Sequence, residues 1–268
     1  MSILREGAVG AAVLDLQRLL TANGFNAPDT AVYCADTAAA VRVAQNRFGL
    51  VVDGIAGPKT MAALQSGARN IRHLTAADLQ AAAETLDVPL AAIRAVNEVE
   101  SLGNGFLPDG RPVILFERHI MHRQLARAGK DADALAHQFP NLVNPKRGGY
   151  VGNAGEHMRL ARAIQIDEDC ALASASWGAF QIMGFHWNLL DYPSVQHFVA
   201  SMRTSEAAQL DAFVRFVKAD PTLLKALRAR KWPTFARLYN GPAYEANLYD
   251  VKLARAFDRY QAEEEVAA

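Results

Sequence analysis

The chain has 268 residues, and its 28 Lys and Arg residues balance 28 Asp and Glu residues to a formal charge of zero. This length allows one large domain or two smaller ones, and a hydrophobic fraction of 51% is typical of a folded protein with a sizeable core. Zero net charge argues against nucleic acid as the main partner, because binding to phosphates normally requires a basic surface.

The two cysteines and the amino-terminal segment exclude further classes of protein. Cys34 and Cys170 lie far apart without a CxxC pattern, so we expect two buried thiols and neither a disulfide framework nor a thiolate metal site. The first residues lack a basic region followed by an apolar run, which predicts no signal peptide. The apolar run 8–14 is too short to span a bilayer, so we expect no stable membrane insertion.

The amino-terminal quarter of the chain predicts three short helices. The apolar residues of the first recur at helical spacing, and Gly24 ends it. The second is expected to be capped by Asp36 and Thr37 and to end at Gly49. The third begins at Pro58, which suits the first turn of a helix because proline has no N–H to lose there.

We predict a mainly α protein with two domains, residues 1–67 and residues 74–268. The second is mostly helical, and its last amphipathic helix is expected to pack on the domain. Its residues 101–116 hold glycines and prolines followed by an apolar run, which predicts an irregular loop or small β-hairpin between helices. A second glycine-rich loop follows at residues 148–153.

Two paired motifs in the first domain point to its class: LQRLL at residues 16–20 and GLVVDGIAGPKT at residues 49–60. Together they resemble the peptidoglycan-binding three-helix module of cell-wall hydrolases. The resemblance implies binding to glycan strands or stem peptides, with four candidate wall-binding residues: Asp53, Gly54, Gly57 and Thr60. The residues alone favour a turn former for Asp53 and a helix cap for Thr60.

The helix predicted from Pro89 to Glu100 carries two glutamates that are not equivalent. Glu100 projects onto the apolar face of this helix, whereas Glu98 points to solvent, where we expect a surface ion pair with Arg94. Partial burial would raise the pKa of the Glu100 carboxyl, as a general acid requires. A capping or ion-paired carboxylate is the ordinary alternative.

Three motifs occur in the second domain: ESLG at 100–103, SWGAFQIM at 176–183 and LYNGP at 238–242. In this order they resemble the lysozyme-like muramidases and lytic transglycosylases and, more narrowly, the N-acetylmuramidase domain of modular bacteriophage endolysins. The resemblance implies a larger, α-helical, lysozyme-like catalytic domain in which Glu100 protonates the glycosidic oxygen. It also implies residues that line the sugar cleft or orient Glu100: Gly178, Phe180, Gln181, Tyr239 and Asn240.

Glycoside hydrolysis commonly uses a second carboxylate, and two residues are candidates. Asp109 precedes a glycine, so turn chemistry alone explains it. Glu117 follows a predicted strand, and a salt bridge with Arg111 or Arg118 is its ordinary alternative. The resemblance favours Glu117 narrowly. A lytic transglycosylase needs no second carboxylate and forms a 1,6-anhydro product, and the resemblance favours hydrolysis over that route.

Two other classes of function stay open at this point. A zinc-dependent amidase or peptidase would need a third ligand beside His119 and His122, and no HExxH motif occurs. A wall-binding protein without catalysis would require Glu100 to be merely structural. We expect no metal and no cofactor.

The expected partner is bacterial peptidoglycan, bound by a monomer. The predicted domains each balance their charges, so we expect recognition to rest on groove shape and sugar contacts. The resemblance and the missing signal peptide together predict an enzyme held in the host cytoplasm before lysis, which then acts on periplasmic peptidoglycan. A separate holin-like protein would release it.

Overall fold

The computed structural model describes residues 3–100 and 104–267. The chain divides into two compact units, Met1–Leu79 and Gln80–Ala268. Its described part is mainly helical with one small antiparallel sheet, which confirms the predicted fold class. Over the same residues, no helix combines the length and the apolar character needed to cross a membrane.

The first unit contains three α-helices: α1 (Ala11–Ala22), α2 (Ala35–Arg47) and α3 (Pro58–Ser66). They lie where the sequence predicts them, because the stop at Gly24 and the start at Pro58 are local signals. Their apolar faces form one core around Leu16, Leu20 and Val41, which are all fully buried.

Two details at the start of α2 differ from the prediction. The N-cap residue is Cys34, not Asp36 or Thr37. The hydroxyl of Thr37 is buried and accepts a hydrogen bond from Gln17 Nε2 at 2.9 Å, so it joins α1 to α2 and caps no helix end. Cys34 is also only half-buried, whereas Cys170 is buried as expected, and both thiols are free.

The remaining helices follow in chain order: α4 (Ala76–Leu86), α5 (Leu90–Glu100), α6 (Arg118–Arg127), α7 (Ala132–Gln138), α8 (Ala154–Ile164), α9 (Glu168–Ala173), α10 (Val195–Met202), α11 (Glu206–Ala219), α12 (Pro221–Arg228), α13 (Trp232–Asn240) and α14 (Tyr249–Ala267). Short 3₁₀-helices lie at Gly184–His186 and Pro242–Asn247. Helix α5 packs on α14, the amphipathic last helix. Glu100, the candidate general acid, is the last residue of α5.

The sheet has three strands: β1 (Ile114–Phe116), β2 (Ala175–Trp177) and β3 (Ile182–Met183). A small hairpin closes before β1, where Phe106 and Pro112 form an antiparallel bridge, as the glycines and prolines predict. The apolar run after that hairpin does not pair locally. This run forms β1, which pairs with β2 so that Phe116 lies opposite Ala175. The position of Glu117, the next residue, therefore depends on a strand that is distant in the sequence.

Glu98 is not the solvent-facing residue that the helical pattern predicts. Its Oε2 accepts a hydrogen bond from Tyr260 Oη at 2.6 Å and pairs with the Arg259 guanidinium, and both partners lie on α14. Arg94 pairs with Glu264 of the same helix at 3.5 Å. Because α14 covers this side of α5, the Glu98 carboxylate is half-buried between two helices.

Candidate active site

Glu100 is the last residue of α5, and its half-buried carboxyl faces α13. Its Oε1 accepts a hydrogen bond from Asn240 Nδ2 at 3.0 Å. Burial raises the pKa of Glu100 to about 7, and the Asn240 bond and the positive charge of Lys252 oppose this rise. A carboxyl with such a pKa keeps its proton close to neutral pH, which is what a general acid needs.

Tyr239 joins the Glu100 region to the turn between β2 and β3. Its hydroxyl donates to the carbonyl of Phe180 at 2.6 Å, and its ring stacks on Phe235 with centroids 5.7 Å apart. Burial of the hydroxyl and the nearby Glu100 charge raise the pKa of Tyr239 well above its ordinary value. The hydroxyl therefore stays a donor, and it holds α13 against this turn.

The turn itself brings together three of the predicted cleft residues. Gly178 and Gln181 both have positive φ, +73° and +51°, so the backbone is sharply bent. Gln181 is exposed, and its side chain accepts from Ser176 Oγ at 2.7 Å and donates to the Gly178 carbonyl at 2.8 Å. The Phe180 ring is buried against Phe213, so its side chain belongs to the core.

Two residues that the sequence did not single out join the segment after Glu100 to this turn. Both Glu206 and Gln209 lie on α11 and are 1% exposed. Glu206 Oε1 accepts from the Gly105 amide at 2.8 Å, and Gln209 Oε1 accepts from the Ala179 amide at 2.8 Å. Gln209 Nε2 donates to the Gly105 carbonyl at 3.3 Å. The sequence does contain a sign of these buried contacts, because the polar residues at positions 206 and 209 share a helix face with apolar residues.

Gln209 packs against the backbone at Gly105 and at Gly178, and neither position has room for a larger residue. A Cβ at Gly105 would lie 2.1 Å from Gln209 Oε1, and a Cβ at Gly178 would lie 2.4 Å from Gln209 Cδ. Both distances are shorter than van der Waals contact allows. The glycines therefore let Gln209 approach two loop backbones at once.

Gln209→Ala is expected to destabilise the protein by about 2–4 kcal/mol, because it removes a buried side chain and leaves the buried Ala179 amide without the acceptor that Gln209 provides. Urea unfolding at pH 7 measures the change in the free energy of unfolding. Gln80→Ala is the matched control, since Gln80 is exposed and bonds only its helix neighbour Glu84 among the contacts that the structure gives. Equal losses in the two variants would contradict the role of Gln209.

Glu117 is held by residues from two sides. It occupies the N-cap position of α6, directly after β1, and its side chain is 16% exposed. Its Oε2 accepts from Tyr150 Oη at 2.8 Å and lies 3.1 Å from His119 Nδ1. Arg118 points elsewhere and donates to the carbonyls of residues 140, 146 and 147. The structure thus places Glu117 immediately after β1, beside a tyrosine hydroxyl.

Asp109 has the contacts of a turn residue. Its Oδ2 accepts from Arg111 Nη2 at 2.6 Å and from Arg111 Nε at 2.9 Å, and its Oδ1 accepts from the Arg111 amide. The Arg111 side chain lowers the pKa of Asp109, and the Asp109 side chain is 45% exposed. These contacts with Arg111 are the ones that turn chemistry alone predicts for Asp109.

The candidate wall-binding residues surround a buried glutamine of α2. Gln45 donates to Asp53 Oδ1 at 2.7 Å and to Thr60 Oγ1 at 3.2 Å, and it accepts from the Gly54 amide at 2.9 Å. Gly57 is the N-cap residue of α3, so the prediction of a cap at Thr60 is wrong. These contacts shape the turn before α3, as the turn chemistry of Asp53 predicts.

The two histidines of the zinc alternative point to different partners. His119 lies beside Glu117 and accepts from Arg147 Nε at 3.3 Å, whereas His122 bonds Asp133 at 2.9 Å. Within residues 3–100 and 104–267, no three His, Cys, Asp or Glu side chains come together as a set of metal ligands.

A half-buried carboxyl with a raised pKa at a helix end, held by an amide, is the arrangement that the resemblance to lysozyme-like glycosidases predicts. Comparisons with known proteins agree with that class. Residues 89–261 match the N-acetylmuramidase family, and residues 9–64 match a putative peptidoglycan binding domain. Because the first match covers more than half of the chain, the protein belongs to the N-acetylmuramidase family of glycoside hydrolases.

Two individual proteins are similar to this chain. The crystal structure of the Burkholderia AP3 phage endolysin is 62% identical, covers 97% of this chain and 100% of its own, and gives a TM-score of 0.93. The N-acetylmuramoyl-L-alanine amidase CwlL of Bacillus licheniformis is 42% identical over 66 residues, which are 24% of this chain and only 18% of the amidase. The resemblance to modular phage endolysins is therefore confirmed.

Proposed function

We propose that this muramidase cleaves the β-1,4 bond between N-acetylmuramic acid and N-acetylglucosamine in peptidoglycan, with Glu100 as the general acid. One observation carries the assignment. The Glu100 carboxyl is half-buried at the end of α5, is held by Asn240 and has a pKa of about 7. It also lies within the segment that matches the muramidase family.

Glu100 donates its proton to the leaving oxygen of the scissile bond. Such assistance typically accelerates the reaction by about 10²–10⁴-fold. As the bond breaks, Glu100 becomes negative, and the Asn240 amide and the Lys252 charge stabilise the anion that forms. Burial holds the proton close to neutral pH, whereas these two groups favour the charged form and so help Glu100 to give the proton up.

Glu117 is the second carboxylate in this proposal. It activates a water molecule or stabilises the positive charge that develops on the sugar ring. Its support is the contact with Tyr150 and the strand that ends immediately before it. The turn at Gly178 and Gln181 contributes to the cleft wall, and Tyr239 fixes that turn through the Phe180 carbonyl.

The first unit holds the enzyme on its polymeric substrate, since it matches a peptidoglycan binding domain. Similarity to a phage endolysin supports a role in lysis of the host cell. In this role the protein stays in the host cytoplasm until a separate holin-like protein permeabilises the membrane.

Product analysis tests the proposed reaction. Digestion of purified sacculi should release new reducing ends, and mass spectrometry should show muropeptides that have gained one water per bond cleaved. Anhydro products, lighter by that water, would assign the protein to the lytic transglycosylases. Free amines without reducing ends, lost on addition of a chelator, would assign it to the zinc amidases.

A further inference from the structure

We propose that a groove on the first unit binds the stem peptide of peptidoglycan. The groove has a volume of about 480 Å³ and lies between residues 24–28 and the α2 residues Asp36, Ala39, Ala40 and Val43. This volume falls within the range of ligand sites, about 300–1,000 Å³. The inference rests on the proposed function, because it names the part of peptidoglycan that the first unit recognises.

The chain direction after α1 creates one wall of the groove. Gly24 has φ +81°, which turns the backbone sharply at the end of the helix. Phe25 then packs into the core with its ring 6.1 Å from that of Phe48, and 6% of it is exposed. The buried ring fixes the segment 24–28 against α2, so the groove is formed before any ligand binds.

The other wall is one face of α2. Positions 36, 39, 40 and 43 follow the spacing that places residues on the same side of a helix. Two of them are alanines, and Val43 is 59% exposed. A valine so exposed contributes little to the core, and it leaves apolar surface open beside the alanine methyl groups.

Opposite charges lie near the two ends of this face. Asp36 is exposed in the first turn of α2, and Arg47 is the last residue of the helix. Eleven residues of helix separate them by about 16 Å. The Arg47 guanidinium lies 5.4 Å from the centroid of the Phe25 ring, so it borders the groove at this end.

A stem peptide has the complementary chemistry. It is a short chain with alanine methyl groups, free carboxylates and, at its diamino acid, a free amine. An extended tetrapeptide spans about 13–14 Å, which fits between the two charges. Its carboxylates suit Arg47, its amine suits Asp36, and its methyl groups suit the alanines and Val43. A glycan strand is uncharged and offers no opposite charge to Asp36 or Arg47.

The groove is separate from the turn that carries the family motif. Asp53, Gly54 and Thr60 are occupied with Gln45, and none of them lines the groove. The expectation of recognition by sugar contacts followed from net charge alone. The structure separates opposite charges along one helix, and this separation favours a zwitterionic peptide.

The first test is nuclear magnetic resonance on the isotope-labelled full chain carrying Glu100→Gln, which prevents cleavage. The protein is titrated in separate experiments with a synthetic tetrapeptide, L-Ala–γ-D-Glu–diaminopimelate–D-Ala, and with chitotetraose. We expect the tetrapeptide, and not the sugar, to shift the amides of Ala39, Ala40 and Val43. If only chitotetraose shifts these amide signals, or if neither probe shifts them, the proposal is wrong.

The second test uses binding to sacculi by the same full chain. Val43→Glu places a charge on the apolar wall of the groove, and Arg47→Glu reverses the charge at its end. Each substitution is expected to raise the dissociation constant by about tenfold. Val9→Glu is the matched control, because Val9 is 73% exposed and does not line the groove, and it should stay within about twofold. Equal effects at positions 9 and 43 would contradict the site.

The two tests separate this inference from the proposed function. With Glu100 restored, Val43→Glu should hydrolyse short soluble glycan fragments at the unaltered rate and lose rate only on intact sacculi. If intact sacculi are also hydrolysed at the unaltered rate, the groove proposal fails and the muramidase assignment stands. If the unaltered protein releases no reducing ends, the proposed function fails, whereas the tetrapeptide titration still decides the groove.

Discussion

Glu100→Gln is expected to lower the rate of sacculus hydrolysis by about 10²–10⁴-fold. Glutamine has almost the same shape as glutamate, and its amide oxygen can still accept from Asn240, so the fold should persist. It has no acidic proton to transfer, however. The rate is measured as reducing ends released per unit time from purified sacculi, at equal concentrations of folded protein.

Glu98→Gln provides the matched control, because it makes the same chemical change two residues earlier on α5. Glu98 bonds Tyr260 and pairs with Arg259, and both lie on α14. This variant should lose stability through the weakened contact between helices and keep its rate within about threefold. A full hydrolysis rate in correctly folded Glu100→Gln would exclude Glu100 as the general acid.

Glu100→Gln should also change how the stability of the protein depends on pH. Burial raises the pKa of Glu100 from 4.5 to about 7 in the folded protein, so folding favours the protonated form. The resulting stability is complete below pH 4.5 and is lost as the pH rises to about 7. The unaltered protein loses this stability as the pH rises, and Glu100→Gln does not. The difference in free energy of unfolding, variant minus unaltered protein, should therefore increase by about 2 kcal/mol from pH 5 to pH 8. Urea unfolding at the two pH values measures this gain.

The sequence predicts the parts of this protein that local patterns determine. Helix α1 ends, and helices α3 and α5 begin, near the predicted residues, because glycine stops and proline starts act within one turn of the chain. The position of Glu100 at the end of a helix, on its apolar face, follows from the same periodicity. The motif at residues 238–242 then predicts the Asn240 contact through resemblance, not through geometry.

Contacts between residues far apart in the chain could not be predicted in this way. Glu98 was expected to pair within its own helix, but its partner Tyr260 lies 162 residues later. Gln209 contacts Gly105 across 104 residues, and β1 pairs with a strand beyond four helices. Helical periodicity indicates which side of α5 is apolar, but it does not indicate which element covers the other side.

The family motif of the first unit shows a different limit. A motif records residues that relatives share, and both binding and folding can require them. Asp53, Gly54 and Thr60 surround Gln45, so the shape of the turn accounts for them. The groove beside α2 has no comparable motif, because alanines and an exposed valine are common on any helix.

Glu117→Gln is expected to lower the hydrolysis rate by about 10²-fold or more, whereas Asp109→Asn should stay within about threefold. The substitution at Glu117 removes a carboxylate that Tyr150 and the end of β1 hold in place. The substitution at Asp109 weakens contacts with Arg111 inside an exposed turn. Both variants are compared by the release of reducing ends from sacculi.

Tyr150→Phe is the matched variant that leaves both carboxylates present. It removes only the hydroxyl that donates to Glu117 Oε2 at 2.8 Å, so the rate should fall between those of the unaltered protein and of Glu117→Gln. A large loss in Asp109→Asn with full activity in Glu117→Gln would transfer the role to Asp109. Full activity in both would mean that no second carboxylate takes part. The sugar hydroxyl would then attack internally, and the same digests would contain anhydro products in place of reducing ends.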